Sequence, residues 1–144
     1  MILVDANVLI YASLTEAPEH EAAKEWLAGR LAGPVRVGLP WGSLLAFVRI
    51  TTNRRIVARP LAFGDAWDAV EAWLAEPVAW VPVPTERHAA VLGPLIRTRG
   101  LRANDVQDAH IAALAIEHGL TLCTTDGGFS RFPGLRWENP LAPT

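Results

Sequence analysis

Short apolar runs alternate along the chain with stretches in which apolar residues recur every three or four positions. The first run, Ile-Leu-Val at residues 2–4, favours a strand that ends at Asp5, and helical spacing begins near Asn7. The same patterns predict helices at residues 18–31, 41–51, 61–75, 86–98 and 105–118, and strands at 35–39, 79–81, 120–124 and 136–137. Strands and helices therefore alternate along the whole chain.

This alternation predicts an α/β fold, a three-layer α/β/α sandwich with a short, mostly parallel central sheet. No repeat, linker or low-complexity segment interrupts it, so residues 1–144 are expected to form a single domain. A chain of 144 residues can bury about two-thirds of the surface that its unfolded form exposes. It therefore needs neither disulfides nor a structural metal to fold.

The composition limits the cellular compartment and the ligands that can be expected for this protein. Cys123 is the only cysteine, which excludes an internal disulfide and a cysteine-rich zinc site and favours a reducing compartment. No apolar run approaches the ~20 residues of a membrane span, and the N-terminus lacks signal-peptide features, so a cytoplasmic protein is expected. The net charge of -2 offers no general attraction for nucleic acid, although twelve of the thirteen basic residues are arginine.

Aspartates follow the predicted strands at one edge of the sheet. Asp5 ends the first strand and Asp126 follows the fourth, and ligands of parallel sheets bind where the strands end. Asp108 lies in the first turn of the helix that leads into the fourth strand, and Asp105 lies one turn earlier. Each of these acids has an ordinary alternative role as a helix cap, a turn residue or a partner of a helix dipole.

Gathering these carboxylates at one edge has an electrostatic cost. Two of them roughly 4 Å apart repel by about 4 kcal/mol at an effective dielectric constant near 20, whereas a cap contributes about 1 kcal/mol. Such a cluster needs protons or a cation, and oxygen ligands without His or Cys favour Mg²⁺ or Mn²⁺ over zinc. Without these four acids, thirteen basic residues face eleven acids, so the rest of the chain carries a small positive charge.

Three motifs in this order resemble the PIN-domain nucleases, and most closely the VapC toxins of bacterial toxin–antitoxin pairs. They are Asp-Ala-Asn at residues 5–7, Asp-Ala-His-Ile-Ala-Ala-Leu-Ala at 108–115 and Thr-Thr-Asp-Gly-Gly-Phe-Ser-Arg-Phe-Pro-Gly at 124–134. Residues 41–53 resemble a further family segment that usually reads Leu-Leu-x-Phe-x-Arg-x-Thr-Thr. The resemblance covers essentially the whole chain, and it is the order and spacing of the motifs that make it specific.

The resemblance implies a metal-dependent endoribonuclease that acts as a toxin and hydrolyses RNA phosphodiester bonds with Mg²⁺ or Mn²⁺. In this family Asp5, Asp108 and Asp126 would hold the metal, with Asn7 and Thr124 as polar support. The resemblance also implies a cognate VapB-like antitoxin and a homodimer. Tryptophan-bearing helices at residues 61–75 or near residue 41 offer apolar surface for a second subunit.

Arginines provide candidate contacts to RNA. Arg49 falls in the family segment and is a candidate for the path of the substrate, and Arg54, Arg55 and Arg59 complete the densest basic stretch. The ordinary alternative is that these side chains are solvated helix and loop residues.

The chain departs from the family pattern at two positions. There is no acid between Glu25 and Asp65, and Ala46 stands near the position where many relatives carry Glu. Gly128 stands where relatives often carry a second Asp. Both changes reduce the negative charge available to a metal, and Asp105 is expected to restore part of it as an additional metal-facing acid.

These departures leave a non-enzymatic alternative. The chain could be a catalytically weakened PIN fold that serves as an RNA-binding or protein-interaction module. Histidine chemistry does not replace the missing acid, because His110, two positions after Asp108, is rotated about 200° from it around the helix, and His88 and His118 are predicted to lie on helix surfaces.

Overall fold

The structure is a computed structural model that describes residues 1–143. Its five strands are Ile2–Val4 (β1), Val37–Gly38 (β2), Ala79–Trp80 (β3), Thr121–Cys123 (β4) and Trp137–Glu138 (β5). Its six α-helices are Ala6–Ser13 (α1), His20–Leu31 (α2), Trp41–Thr51 (α3), Phe63–Leu74 (α4), His88–Ile96 (α5) and Val106–His118 (α6). Short 3₁₀ helices occur at Ala103–Asp105 and Gly127–Arg131. In this described part of the chain, no helix combines the length and apolar character needed to cross a membrane.

The strands form one parallel sheet in the order β3-β2-β1-β4-β5. The first strand lies at the centre, with Leu3 paired to Gly38 of β2 on one side and to Leu122 of β4 on the other. The chain therefore continues from β1 to β2 and β3 on one side of it, and later returns to place β4 and β5 on its other side. Such a switch point opens a crevice beyond the ends of the two central strands, where α/β proteins bind their ligands.

Two apolar cores lie on opposite faces of this sheet, because successive side chains of a strand point to opposite faces. Ile2 and Val4 pack into one core with buried residues of α1, α2, α3 and α4, whereas Leu3 packs into the other with α5 and α6. Helices thus cover both faces of the sheet, and the predicted three-layer α/β/α sandwich is confirmed. All described strand pairs are parallel, as a mostly parallel sheet requires.

The helix that carries the central acids begins differently from the prediction. A 3₁₀ turn precedes α6, which begins at Val106 rather than at residue 105, and the Asp105 carboxylate accepts a hydrogen bond from the Arg102 amide at 2.9 Å. Helix α6 ends at Gly119, whose φ of 67° is a left-handed conformation that glycine adopts without a steric penalty. Elsewhere the predicted boundaries differ from the observed ones by a few residues, the usual uncertainty of helix and strand ends.

Candidate active site

A cleft of about 920 Å³ opens beyond the carboxyl ends of β1 and β4. Three aspartates from separate parts of the chain line it: Asp5 after β1, Asp108 in the first turn of α6 and Asp126 after β4. We call it the acidic cleft. Its other lining residues come from α1, α3, the segment before α6 and α6 itself, and they are Ala6, Asn7, Ile10, Gly42, Leu45, Ala46, Arg49, Ile50, Ala103, Asn104, Gln107 and Ile111.

Asp5 is held firmly at the end of β1. It is the N-cap of α1, and its Oδ1 accepts a hydrogen bond from the Ala6 amide at 2.8 Å. Its Oδ2 accepts from the Thr124 hydroxyl at 2.8 Å and from Asn7 Nδ2 at 3.3 Å. The capping role proposed as the ordinary alternative is therefore real, but the same carboxylate also faces the cleft, so the two roles coexist.

Thr124 joins the two central strand ends. Its fully buried hydroxyl donates to Asp5 and accepts from Asn7 Nδ2 at 3.0 Å and from the Asp126 amide at 3.1 Å. The Asn7 side chain in turn accepts from the Thr125 amide at 3.3 Å. Because the hydroxyl donates once and accepts twice, its hydrogen-bonding capacity is filled and its orientation is fixed. Asn7 and Thr124 therefore orient the Asp5 carboxylate, and their role in supporting a metal-binding acid stays a prediction.

Asp126 begins the 3₁₀ helix that follows β4. Its Oδ1 accepts a hydrogen bond from the Gly128 amide at 2.8 Å. The predicted turn role is thus present as well, and within residues 1–143 no protein group pairs with Oδ2. Asp126, which lines the cleft, consequently keeps one carboxylate oxygen without a protein partner in the described residues.

Asp108 and Asp105 share one cation. Nη2 of Arg131 lies 3.5 Å from Oδ2 of Asp108 and 3.1 Å from Oδ1 of Asp105. The other oxygen of Asp105 accepts the Arg102 amide. Both oxygens of Asp105 thus have protein partners and the residue does not line the cleft, so its placement does not support the predicted role as an additional metal-facing acid.

The electrostatics of the cleft reflect the proximity of its acids. Burial raises the pKa of Asp5 above its ordinary value, although the Thr124 and Ala6 hydrogen bonds oppose this effect. Burial and the neighbouring carboxylates of Asp5 and Asp126 raise the pKa of Asp108 to about 6, with Arg131 acting in the opposite direction. An added positive charge in this cleft would therefore relieve repulsion that the acids exert on one another.

The donor set of the cleft suits a hard divalent cation. Its acids present only oxygen atoms, which are the ligands that Mg²⁺ and Mn²⁺ prefer. Within the described residues, however, no three His, Cys, Asp or Glu side chains already stand in a ready ligand cluster. Asp5 and Asp126 are turned toward their hydrogen-bond donors and Asp108 toward Arg131. Bringing them onto one ion requires side-chain adjustments at an otherwise preformed cleft.

The positions where the chain departs from its resembled family also lie at this site. Ala46 of α3 lines the acidic cleft, so a carboxylate at this position would point into it, and none is present. A Cβ atom at Gly128 would lie 3.0 Å from Asp126 Oδ1 and 3.1 Å from Arg131 Nη1. The acidic cleft is therefore less negative than the family pattern implies.

The predicted substrate arginines separate in space. Arg49 lines the acidic cleft from the last turn of α3, whereas Arg54 and Arg55 lie exposed in the loop beyond it and outside the cleft lining. The structure thus places one of the three beside the acids. Whether any of them contacts RNA stays a prediction.

Sequence reasoning missed two groups of charged residues. Arg131 was assigned no role. Its partners at positions 105 and 108 are distant from it in the sequence, so the sequence pattern does not reveal the contact. The prediction that His88 lies on a helix surface is wrong: its Nδ1 lies 2.6 Å from the fully buried Glu117 side chain, and its Nε2 lies 3.0 Å from His110 Nδ1. Two histidines and a glutamate on α5 and α6 therefore form a hydrogen-bonded row between the two helices.

Comparisons with known proteins agree with this architecture. The model of the PIN domain family matches residues 2–135. The chain is 46% identical over 142 residues to Ribonuclease VapC37 of Mycobacterium tuberculosis, covering 99% of both chains, and 43% identical to Ribonuclease VapC43 of the same species, covering 98% of this chain and 96% of that one. The solved structure of VapBC2 from Rickettsia felis, bound to a promoter DNA fragment, superposes with a TM-score of 0.71 at 20% identity, covering 96% of this chain and 98% of the other.

These matches span nearly the full length of the chain and of its relatives. The chain belongs to the PIN domain family, within the branch of the VapC ribonucleases.

Proposed function

We propose that this chain is a metal-dependent endoribonuclease that acts as the toxin of a VapB–VapC toxin–antitoxin pair. The observation that carries the proposal is the convergence of Asp5, Asp108 and Asp126 in one cleft at the switch point of the sheet. Relatives that are 46% and 43% identical over almost their whole length are named ribonucleases, which supports the same reaction here.

Three carboxylates would hold the metal in this proposal: Asp5, Asp108 and Asp126, as Mg²⁺ or Mn²⁺ ligands. A divalent ion held by these residues would supply polarisation of the scissile phosphate and a water molecule of lowered pKa, so that no protein nucleophile would be needed. The all-oxygen donor set supports this choice of ion.

The chain's own side chains orient the acids and receive the RNA. Thr124 and Asn7 fix the Asp5 carboxylate by hydrogen bonds that the protein makes with its own groups. Arg49 is the cation best placed to bind a phosphate of the substrate, since it lines the same cleft. Arg54 and Arg55 extend this path along the loop beyond α3. Single-stranded or looped RNA is the form whose backbone and bases such an open cleft can reach.

The binding partners of this chain are inferred from the same branch of the family. The solved relative from Rickettsia felis is a VapBC assembly, and we propose a VapB-like antitoxin and a homodimer for this chain as well. Trp41 and Trp67 are each 42% exposed and stacked with ring centroids 6.1 Å apart, and Phe63 beside them is 72% exposed. This apolar surface on α3 and α4 is the face we assign to the second subunit.

The cytoplasm is the compartment that we propose for this protein.

The decisive experiment measures cleavage of a labelled RNA by the purified protein with Mg²⁺ or Mn²⁺. We expect discrete products that disappear in EDTA and in the Asp108→Asn variant. Asp68→Asn is the matched control, because it removes the same charge from an exposed position on α4. Loss of cleavage in both variants would point to the overall charge rather than to the cleft.

One alternative has a specific structural basis. Ala46 and Gly128 leave the cleft short of acids, and Arg131 neutralises part of what remains. A catalytically weakened module would bind RNA without metal and yield no products in any of these conditions. That result would refute the nuclease and favour RNA binding or protein interaction.

A further inference from the structure

Arg131 lies at the edge of the acidic cleft, where it contacts the cleft residue Asp108. Its guanidinium bridges Asp105 and Asp108 through Nη2, and its carbon centre lies 4.9 Å from the ring centroid of buried Phe132. Its Nε is buried and has no hydrogen-bond partner within residues 1–143. The unpartnered nitrogen carries a desolvation cost, so the two ion pairs and the ring contact are what hold the guanidinium here.

The carboxylate of Asp105 is oriented toward the guanidinium of Arg131. One carboxylate oxygen accepts the Arg102 amide at 2.9 Å, which fixes the side chain at the turn before α6, and the other faces Arg131 at 3.1 Å. The Asp105 side chain is 21% exposed and that of Arg131 31%. This pair is therefore shielded more than an ordinary surface ion pair, and its contribution is larger than that of fully solvated charges.

The backbone makes room for the guanidinium. A Cβ atom at position 128 would lie 3.1 Å from Arg131 Nη1, which is closer than ordinary van der Waals contact. Glycine at this position lets the 3₁₀ helix at Gly127–Arg131 fold the arginine back toward α6. The cation is thus a packed part of the site and not a side chain that happens to pass it.

We propose that Arg131 is the resident counter-cation of the acidic cleft: anchored by Asp105, it holds the Asp108 carboxylate and competes with a divalent ion for it. Asp105 is then the anchor of Arg131 and not a metal ligand. The competition rests on the metal site proposed above, whereas the anchoring does not. Because Arg131 and a bound ion would share Asp108, the resident cation sets the affinity for the ion.

Two measurements test the proposal. The first is a double-mutant cycle of Arg131→Gln and Asp105→Asn, read by chemical unfolding of the full chain in EDTA. We expect Arg131→Gln to raise the unfolding equilibrium constant about threefold to tenfold, and the loss to be smaller once Asp105 is already Asn. The second is calorimetric titration with Mn²⁺, in which Arg131→Gln should tighten binding about tenfold because a nearby positive charge is removed.

Two further variants separate the proposed role from general effects. Arg36→Gln removes the same charge and a comparable ring contact, since the Arg36 guanidinium lies 4.5 Å from the Trp80 ring centroid. Arg36 directly precedes β2, at the opposite ends of the strands, so Mn²⁺ binding should be unchanged. Arg131→Lys retains the charge and should bind Mn²⁺ like the parent.

Additive losses in the EDTA cycle would overturn the anchoring by Asp105. Unchanged or weaker Mn²⁺ binding by Arg131→Gln would overturn the competition. If neither parent nor variants bind Mn²⁺, the proposed metal site and the competition both fail, and the cycle in EDTA still decides the anchoring.

Discussion

The Thr124 hydroxyl lies 2.8 Å from Oδ2 of Asp5, although the two residues are 119 positions apart in the chain. Their strands, β1 and β4, are parallel neighbours at the centre of the sheet. A single buried hydroxyl thus ties the first acid of the cleft to the segment that carries the last one.

We expect Thr124→Val to weaken both the fold and the cleft. The isosteric change removes the donor to Asp5, leaves the Asp126 backbone amide without its acceptor and takes from Asn7 Nδ2 one of its two acceptors, which costs about 1–3 kcal/mol of unfolding free energy. Mn²⁺ binding should weaken several-fold, measured by calorimetry. Thr51→Val is the matched control, because Thr51 is also buried but bonds only to the Phe47 carbonyl of its own helix. Equal Mn²⁺ affinities in the two variants would contradict the role of Thr124.

Ala46→Glu should strengthen metal binding. Ala46 lines the acidic cleft, so the new carboxylate adds a negative charge and an oxygen ligand where the ion is expected. Mn²⁺ affinity should rise about tenfold, since nearby opposite charges attract strongly in a partly shielded site. Ala46→Gln has nearly the same shape without the charge. Identical affinities of the Glu and Gln variants would show that position 46 does not face the ion.

Acid should destabilise the fold through Glu117. Burial acts to raise the pKa of Glu117, but hydrogen bonds from the Thr85 amide and His88 outweigh it and hold the pKa below its usual 4.5. The unfolded chain then binds the proton more readily, so this stabilisation is complete above pH 4.5 and is lost as the pH falls through the lowered value.

Urea unfolding between pH 3 and pH 7 measures this effect. Glu117→Gln should reduce stability by about 1–3 kcal/mol at pH 7 and flatten the acid limb of the curve. Glu86→Gln, at an exposed position near the start of α5, should leave both unchanged. An acid limb as steep in Glu117→Gln as in the parent would assign the acid sensitivity to other groups.

Arg49→Gln should reduce the salt dependence of RNA binding. Each phosphate contact to single-stranded RNA contributes about 0.7 to the slope of log affinity against log salt. Binding is measured with Asp108→Asn protein, in which RNA is not cut, over a range of salt concentrations. Arg54→Gln and Arg55→Gln test the loop separately, and Arg36→Gln serves as the distant control. A slope that Arg49→Gln leaves intact would remove this residue from the substrate path.

Helices and strands in which apolar residues recur at a regular spacing could be predicted from the sequence. The spacing of apolar residues predicts α3 at residues 41–51 as the structure has it, and the fold class follows from alternating element types. Asp5 and Asp126 could be assigned to one edge because the ends of parallel strands meet there. These inferences use only properties within an element or rules that hold for every parallel sheet.

Contacts between distant side chains could not be predicted in this way. Arg131 is 26 positions from Asp105, and His88 is 29 positions from Glu117. Periodicity describes the face of one helix, but it does not say which residue of another element that face meets. The assignment of Asp105 to a metal and of His88 to the surface rested on single elements, and the structure gives both residues partners elsewhere.

The strand order has a consequence for biosynthesis. Asp5 is synthesised 119 residues before Thr124, and β1 gains its neighbour β4 only after the chain between them has been made. Because a chain emerges from the ribosome N-terminus first, the acidic cleft does not exist on a nascent fragment. If the chain cuts RNA as proposed, the ribosome and message that produce it are exposed to the assembled cleft only after the chain through Asp126 has been made.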